Sequence, residues 1–457
     1  MPRATTGPSR ATLFGVTGYW PLWLVIAGAV ALRLALTPLY AHLPNGTLDE
    51  GFWTHWMERI HEHGVLNVFR TSDTDYVGYH WVLAALDVLY APFGNRYDPH
   101  APLLHVLVKV PPILFDVALM LLVFRATALL AAERGLQADA GRRLALLAAA
   151  VIGAHPVVVY DSAVWAQTDA AISAAMLGGL YFAQRRSPAA SGVTYALGIA
   201  VKPHPVIAGP LLALALVRAG GARAVAVCGV AVLAVAAAVL GPWLLHGDGG
   251  RILDVYTMLF TQERQRLSEL AWNGWWIVDQ AGDPRPDTAI YSAAPAFTYA
   301  RVALGLSAVA TLLGFAYAWR RRSFEALLVA AAYQAFAFYM LPVGSHERYL
   351  YPFVALMLPV ALSERRWLWL YVPVSLTLFA NLFLVAPPVP SWQDRWVYGD
   401  ASVVVSGVNV AMFAAYTATL VAVLLRDLPL RGVRSAAAAR AAHEQGHWAG
   451  RRLLDSD

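Results

Sequence analysis

Cysteine occurs once in these 457 residues, as Cys228 inside an apolar run, so the chain has neither an internal disulfide nor a cysteine-based metal centre. Lysine is nearly as scarce, present only as Lys109 and Lys202, and the remaining basic charge is arginine. Charged residues make up 14% against 58% hydrophobic, with a mean hydropathy of +0.52. That balance excludes a soluble domain and leaves a polytopic membrane protein. No stretch mixes basic and aromatic residues as a nucleic-acid surface would, and the net charge of +5 sits in loops of one side. Internal repeats are absent. Met1 to Thr12 carries Arg3 and Arg10 ahead of an apolar run without a small-residue cleavage site, so it reads as a retained cytoplasmic end. The arginine and alanine bias fits a GC-rich bacterial genome.

What is present is a series of apolar runs, near 20 to 40, 101 to 132, 142 to 160, 168 to 184, 222 to 245, 295 to 319, 323 to 342, 349 to 363, 366 to 386 and 401 to 425. Between 189 and 217 lie two shorter runs broken by Lys202-Pro203-His204-Pro205, read as short helices meeting at that break. Counted together they predict an all-α polytopic transmembrane helical bundle of about 12 crossings. Arginines gather in alternate loops, at 134, 142 and 143, at 185 and 186, at 218 and 223, at 320 to 322, at 365 and 366, and at 426, 431 and 434. This places both termini in the cytoplasm. The expected organisation is a cytoplasmic N-terminus (1–19), a transmembrane domain (20–425) with large extracytoplasmic loops at 41–100 and 246–294, and a basic cytoplasmic tail (426–457). In the first loop Phe52, Trp53, Trp56 and Ile60 recur at helical spacing, and Trp81, Leu86, Val88 and Leu89 do so more loosely, which predicts amphipathic helices at the interface.

Every chemically suggestive cluster falls on the outer side of this scheme. Asp49-Glu50 follows the first run, either as a helix cap or as an acid/base pair. Asp161, Trp165, Gln167 and Asp169 crowd a turn between two spans, and Lys202 and His204 interrupt an apolar hairpin, where a cation costs about 2.5–3.5 kcal/mol unless paired or hydrated. Ser345-His346-Glu347-Arg348-Tyr349 opens a span with an imidazole and a guanidinium, suited to phosphate or else to a Glu347–Arg348 ion pair. Lys109 and Asp116 share a helix face and read as a structural pair, while Asn273, Trp275 and Trp276 suggest a polar, aromatic lid. His443-Glu444-Gln445-Gly446-His447 with Gly450 matches a zinc-protease pattern, but Leu453 stands where a third histidine belongs and a short charged tail offers no core. A transporter or lipid flippase is the competing reading, against which stands the one-sidedness of the clusters.

In their order, these elements resemble the GT-C class of integral-membrane glycosyltransferases, nearest its bacterial mannosyltransferase-like branch. The resemblance lies in Asp49-Glu50, Asp75-Tyr76, Trp165-Ala166-Gln167-Thr168-Asp169, Lys202-Pro203, Asn273 before Trp275-Trp276, and His346-Glu347-Arg348-Tyr349. Val77-Gly78 stands where such proteins often carry prolines, and Ala166 where they favour glycine. The resemblance implies transfer of a hexose, with mannose the first choice, from a polyprenyl-phosphate donor to a glycolipid, polysaccharide or protein hydroxyl. The reaction would invert the sugar and take place on the extracytoplasmic face of a bacterial plasma membrane. It implies Asp49 as base with Glu50 beside it, Arg348, His346, Lys202 and His204 around the donor phosphate, and Asp75, Tyr76, Asp161, Trp165, Gln167, Asp169, Asn273 and Trp275 binding sugar or acceptor. No nucleotide-binding fold is expected, no cofactor is required, and a divalent metal on the acids is compatible but not implied. The bilayer is a partner and nucleic acid is not.

Overall fold

The computed structural model describes residues 19–40, 48–72, 74, 76–94, 96–261, 265–282, 284–387 and 390–426. The zinc-protease-like motif at 443–447 and Asp75 lie outside them. Among the described residues helices dominate, with one two-residue parallel strand pair, Ser268–Glu269 with Ser345–His346.

Among the described residues five helical segments are long and apolar enough to cross a membrane: Pro102–Glu133, His204–Leu245, Tyr299–Arg321, Arg365–Val385 and Asp400–Arg426. A sixth is obtained when Ala138–Ala154 and Pro156–Val164, bent by 48° at their junction, count as one span. Trp20–Leu36, Pro188–Val201, Phe324–Met340 and Tyr351–Ser363 are apolar but of only 10–17 residues, so helix length alone does not reach the twelve crossings expected. Short helices of this kind are tolerated where neighbours bury them, and Phe324–Met340 and Tyr351–Ser363 are buried along nearly their whole length. The hairpin at Lys202 matches its sequence reading. Pro188–Val201 stops at Lys202, which is extended (φ −145°, ψ 142°) as a residue before proline must be. The helix Gly209–Leu245 then breaks at Gly220 and Gly221 (φ +63°), setting off a short first part.

The first loop is a helical cap with a core of its own. Trp53, Trp56, Met57 and Ile60 of the helix Leu48–His63 line one buried stripe, and Phe52 points outward. In the helix His80–Tyr90 the buried stripe is Leu83, Leu86 and Tyr90, whereas Val88 and Leu89 are exposed. The looser sequence pattern had therefore mixed residues of two faces.

Three side chains, Trp81, Trp243 and Arg70, fasten this cap to the far end of the long span. Trp81 donates its indole N–H to the Val239 carbonyl (2.9 Å), Trp243 donates to Val65 (3.0 Å), and Arg70 pairs with Asp248 (2.7 Å) while donating to the His246 carbonyl (2.9 Å). Burial alone would raise the Asp248 carboxyl, but hydrogen bonds from His246 and Arg70 hold it below the ordinary carboxylate value. Its depressed value means the clamp contributes stability above the unfolded carboxylate range, near pH 4, and loses it as pH falls through the lower folded value. Asp248→Asn should lower stability at neutral pH by about 1–3 kcal/mol, and its apparent melting midpoint in detergent should converge with that of the parent as the pH is lowered toward 3.

Candidate active site

Asp49 and Glu50 occupy the first turn of the helix Leu48–His63 and diverge. Glu50 is fully buried, with Lys109 Nζ 2.7 Å from one carboxylate oxygen and His105 Nδ1 2.9 Å from the other. Lys109 Nζ also donates to the Thr37 carbonyl (3.1 Å), and His105 Nε2 lies 2.8 Å from that same oxygen. Glu50 is thus spent on tying the cap helix to the bundle. Lys109 does not pair with Asp116, which faces Arg33 (2.6 Å) and the Ser162 hydroxyl in a separate buried group. Asp49 is half-buried and turned toward the loop ahead of Tyr351, where it acts electrostatically on Glu347 and Arg348.

The acidic turn owes its shape to two backbone features. Trp165 N–H reaches five residues back to the Tyr160 carbonyl (2.9 Å), a widened helical turn that swings Asp161 inward. Ala166 then adopts φ +62°, a left-handed conformation that costs a residue with a Cβ about 1–2 kcal/mol, which accounts for glycine being favoured there in resembling proteins. The Ala166 carbonyl accepts a hydrogen bond from the Trp53 indole (3.0 Å), linking the acidic turn directly to the helix that carries Asp49.

Cations reach this turn from two other breaks in the helices. Lys202 Nζ donates to Gln167 Oε1 (2.7 Å) and Asp169 Oδ1 (3.1 Å), and sits 5.0 Å from the centre of the Tyr76 ring. Tyr76 can lie there because Gly78 presses against the next helix, where an added Cβ would come 2.4 Å from the Ala200 carbonyl oxygen. Glycine in place of the usual proline is thus what the packing demands. Arg348 is bound to Glu347 (2.6 Å) and faces Asp169 Oδ2 across 3.7 Å. Its loop is pinned by the Ser345–His346 strand pairing and by Gly344 N–H to Leu267 (3.0 Å). Burial raises the Glu347 carboxyl above the ordinary carboxylate value, opposed by Arg348 and reinforced by Asp49. Burial, together with Arg348, His204 and Lys202, holds the His346 imidazole well below its ordinary value, hence neutral at physiological pH.

Asp49, Tyr76, Asp161, Gln167, Asp169, Lys202, Arg348 and His346 therefore converge, with His204 edge-to-face against Tyr349 (4.4 Å) at their edge. Both carboxyl oxygens of the fully buried Asp161 lack a hydrogen bond to any described group, as do Gln167 Nε2, Thr168 Oγ1 and Asp169 Oδ2. Such concentrated unused capacity in a buried site suits a hydroxyl-rich ligand. Trp165 packs in the main apolar core. Asn273 caps the helix Gly274–Gly282, accepting from Trp275 and Trp276 N–H (2.9 and 3.0 Å) and donating to Tyr339 (2.8 Å), and Trp275 donates to Leu341 (2.7 Å). These two residues support the Arg348 loop and do not line the cluster. Glu347 and Tyr349 entered the sequence reading as members of the His346-to-Tyr349 motif, Glu347 also as an ion-pair partner, while the ring contacts of Tyr349 and the Trp53–Ala166 link went unforeseen.

The acids and cations of this helical membrane protein thus converge at one set of helix breaks, and the family match decides what class of membrane protein that makes it, a membrane glycosyltransferase. The chain belongs to glycosyltransferase family 87, a GT-C-type family whose sequence model matches residues 95–343. That stretch contains the acidic turn and Lys202 but neither Asp49 nor Arg348. No curated protein matches the chain.

Two measurements test the supporting framework. Glu50→Ala leaves Lys109 buried without its counter-ion and should cost about 3–5 kcal/mol, whereas Glu50→Leu with Lys109→Met should recover much of that loss in thermal unfolding. Ala166→Gly should be at least as stable as the parent, because relief of the left-handed strain offsets the added chain entropy, and Ala166→Val should be markedly less stable.

Proposed function

We propose that the protein transfers a hexose, taken to be mannose, from a polyprenyl-phosphate donor to a hydroxyl of a cell-envelope acceptor on the extracytoplasmic face, with inversion at the anomeric carbon. The observation that carries this reading is the approach of Lys202 and Arg348 to Asp169 from two separate helix breaks, with the Asp49 carboxylate on the Arg348 side. Two cations that share Asp169, Arg348 being paired with Glu347 as well, suit the phosphate that departs as the glycosidic carbon–oxygen bond breaks. Asp49 takes the acceptor hydroxyl proton as that oxygen bonds to the anomeric carbon, while positive charge develops on the sugar ring. Glu50 acts through the helix it anchors. Asp161, Gln167 and Asp169 receive sugar hydroxyls, and Tyr76 covers the Lys202 side.

A lipid-borne donor is supported by an apolar groove of about 170 Å³ that includes Val206, Pro210, Gln334, Ala337, Phe338 and Pro342. Its Phe338 ring stacks on Tyr349 (5.4 Å), which neighbours His346 (5.1 Å) next to Arg348. A phosphate at the cations would direct its isoprenoid chain along these rings into the groove.

Asp49→Asn should lower the transfer rate from a polyprenyl-phosphate sugar about 10²–10⁴-fold with little change in donor KM. Arg348→Ala should raise that KM. Undiminished transfer by Asp49→Asn would remove the base assignment. Mass spectrometry of envelope glycans in a deletion strain tests the reaction itself, since an intact glycan profile with an accumulating lipid-linked sugar would indicate transport.

A further inference from the structure

A second concave site lies at the other end of the helix that presents Lys202. Pro188–Val201 runs for 14 residues, about 20 Å at the helical rise, so its first turn is remote from the acid and cation cluster. It packs tightly on the long helix beyond the Gly220–Gly221 break at Gly192, where an added Cβ would come 2.5 Å from the Cys228 carbonyl oxygen. Toward Pro188 the long helix is broken at Gly220–Gly221. This leaves a cavity of about 250 Å³ walled by Pro188, Ala219, Ala224 and Val227 and lined by Arg186 and Arg223. Neither arginine forms an ion pair among the described residues.

Two guanidinium groups at the mouth of an apolar cavity match one chemistry, a phosphate attached to hydrocarbon. The surroundings favour a lipid over a free anion. Val227, in the cavity wall, and Val230, one turn along the same face, are 37% and 67% exposed, and Leu233 continues the apolar track at 69%. A headgroup between the arginines would lay its acyl chains along that track. Basic recesses between membrane helices take anionic lipid headgroups in this way.

We propose that this cavity binds the phosphodiester headgroup of an anionic phospholipid, separately from the transfer site. The full-length protein, delipidated in detergent, is offered phosphatidylglycerol, phosphatidylcholine or inorganic phosphate, and bound species are read by native mass spectrometry. Retention of phosphatidylglycerol over phosphatidylcholine is expected. Arg186→Gln with Arg223→Gln should reduce that retention at least tenfold, and Arg142→Gln with Arg143→Gln, which removes equal charge elsewhere among the loop arginines, should not. Equal retention of the two lipids, equal loss in both pair variants, or complete displacement by millimolar phosphate would overturn the proposal. Should the first pair variant fail to fold, Val227→Trp fills the cavity and leaves both arginines; persistence of phosphatidylglycerol binding in it would be equally fatal.

Discussion

Asp169 is the carboxylate on which the site depends, because it is shared by two cations that the chain delivers from different places. Lys202 reaches it at 3.1 Å from a proline-forced break, and Arg348 faces it at 3.7 Å from a loop pinned by a strand pair. Neither cation is affordable so deep in an apolar bundle unless compensated. The same balance leaves both poised for an anionic ligand. Much of the neighbouring backbone irregularity serves this meeting, including the widened turn at Tyr160–Val164, left-handed Ala166, extended Lys202 and the Gly78–Ala200 contact.

The division of labour between Asp49 and Glu50 follows from the same electrostatics. Two adjacent carboxylates at one helix start would repel each other if both faced the site. Glu50 is instead absorbed by Lys109 and His105, which neutralises it and fixes the helix end. Asp49 is left free to face Arg348. Fixing is as important as facing, since a base misplaced by an ångström loses much of its advantage. The Trp53–Ala166 hydrogen bond adds a second fastening, so the cap helix and the acidic turn are held to each other as well as to the bundle.

Much of this was legible in the sequence, and the illegible remainder has physical causes. Hydropathy and composition marked a helical membrane protein, and a lone lysine between prolines in an apolar hairpin marked Lys202, because burying an unpaired cation is too costly to be incidental. Partner choice was hidden. Lys109 and Asp116 share a helix face, yet each pairs with a residue of another segment, Glu50 and Arg33, which spacing along one helix cannot reveal. Asn273 has the composition of a sugar ligand but is consumed as a helix cap, a local role that competes with ligand binding for the same amide. The crossing count failed to resolve for a related reason, since short buried helices such as Phe324–Met340 escape a length criterion derived from lipid-exposed ones.

The backbone departures at Ala166 and Gly78 illustrate how substitutions at a site can preserve geometry while changing its cost. At Ala166 the turn keeps its left-handed residue and accepts the strain of a Cβ, because the Trp53 indole and the Gln167 N–H to Asp161 carbonyl bond (2.8 Å) over-determine it. At Gly78 the change runs the other way, and a residue with no side chain lets the backbone come close enough to set the Tyr76 ring over Lys202. Both departures conserve the position of a group that faces the cations. What the backbone holds fixed at this site is therefore where Tyr76, Gln167 and Asp169 stand relative to Lys202 and Arg348.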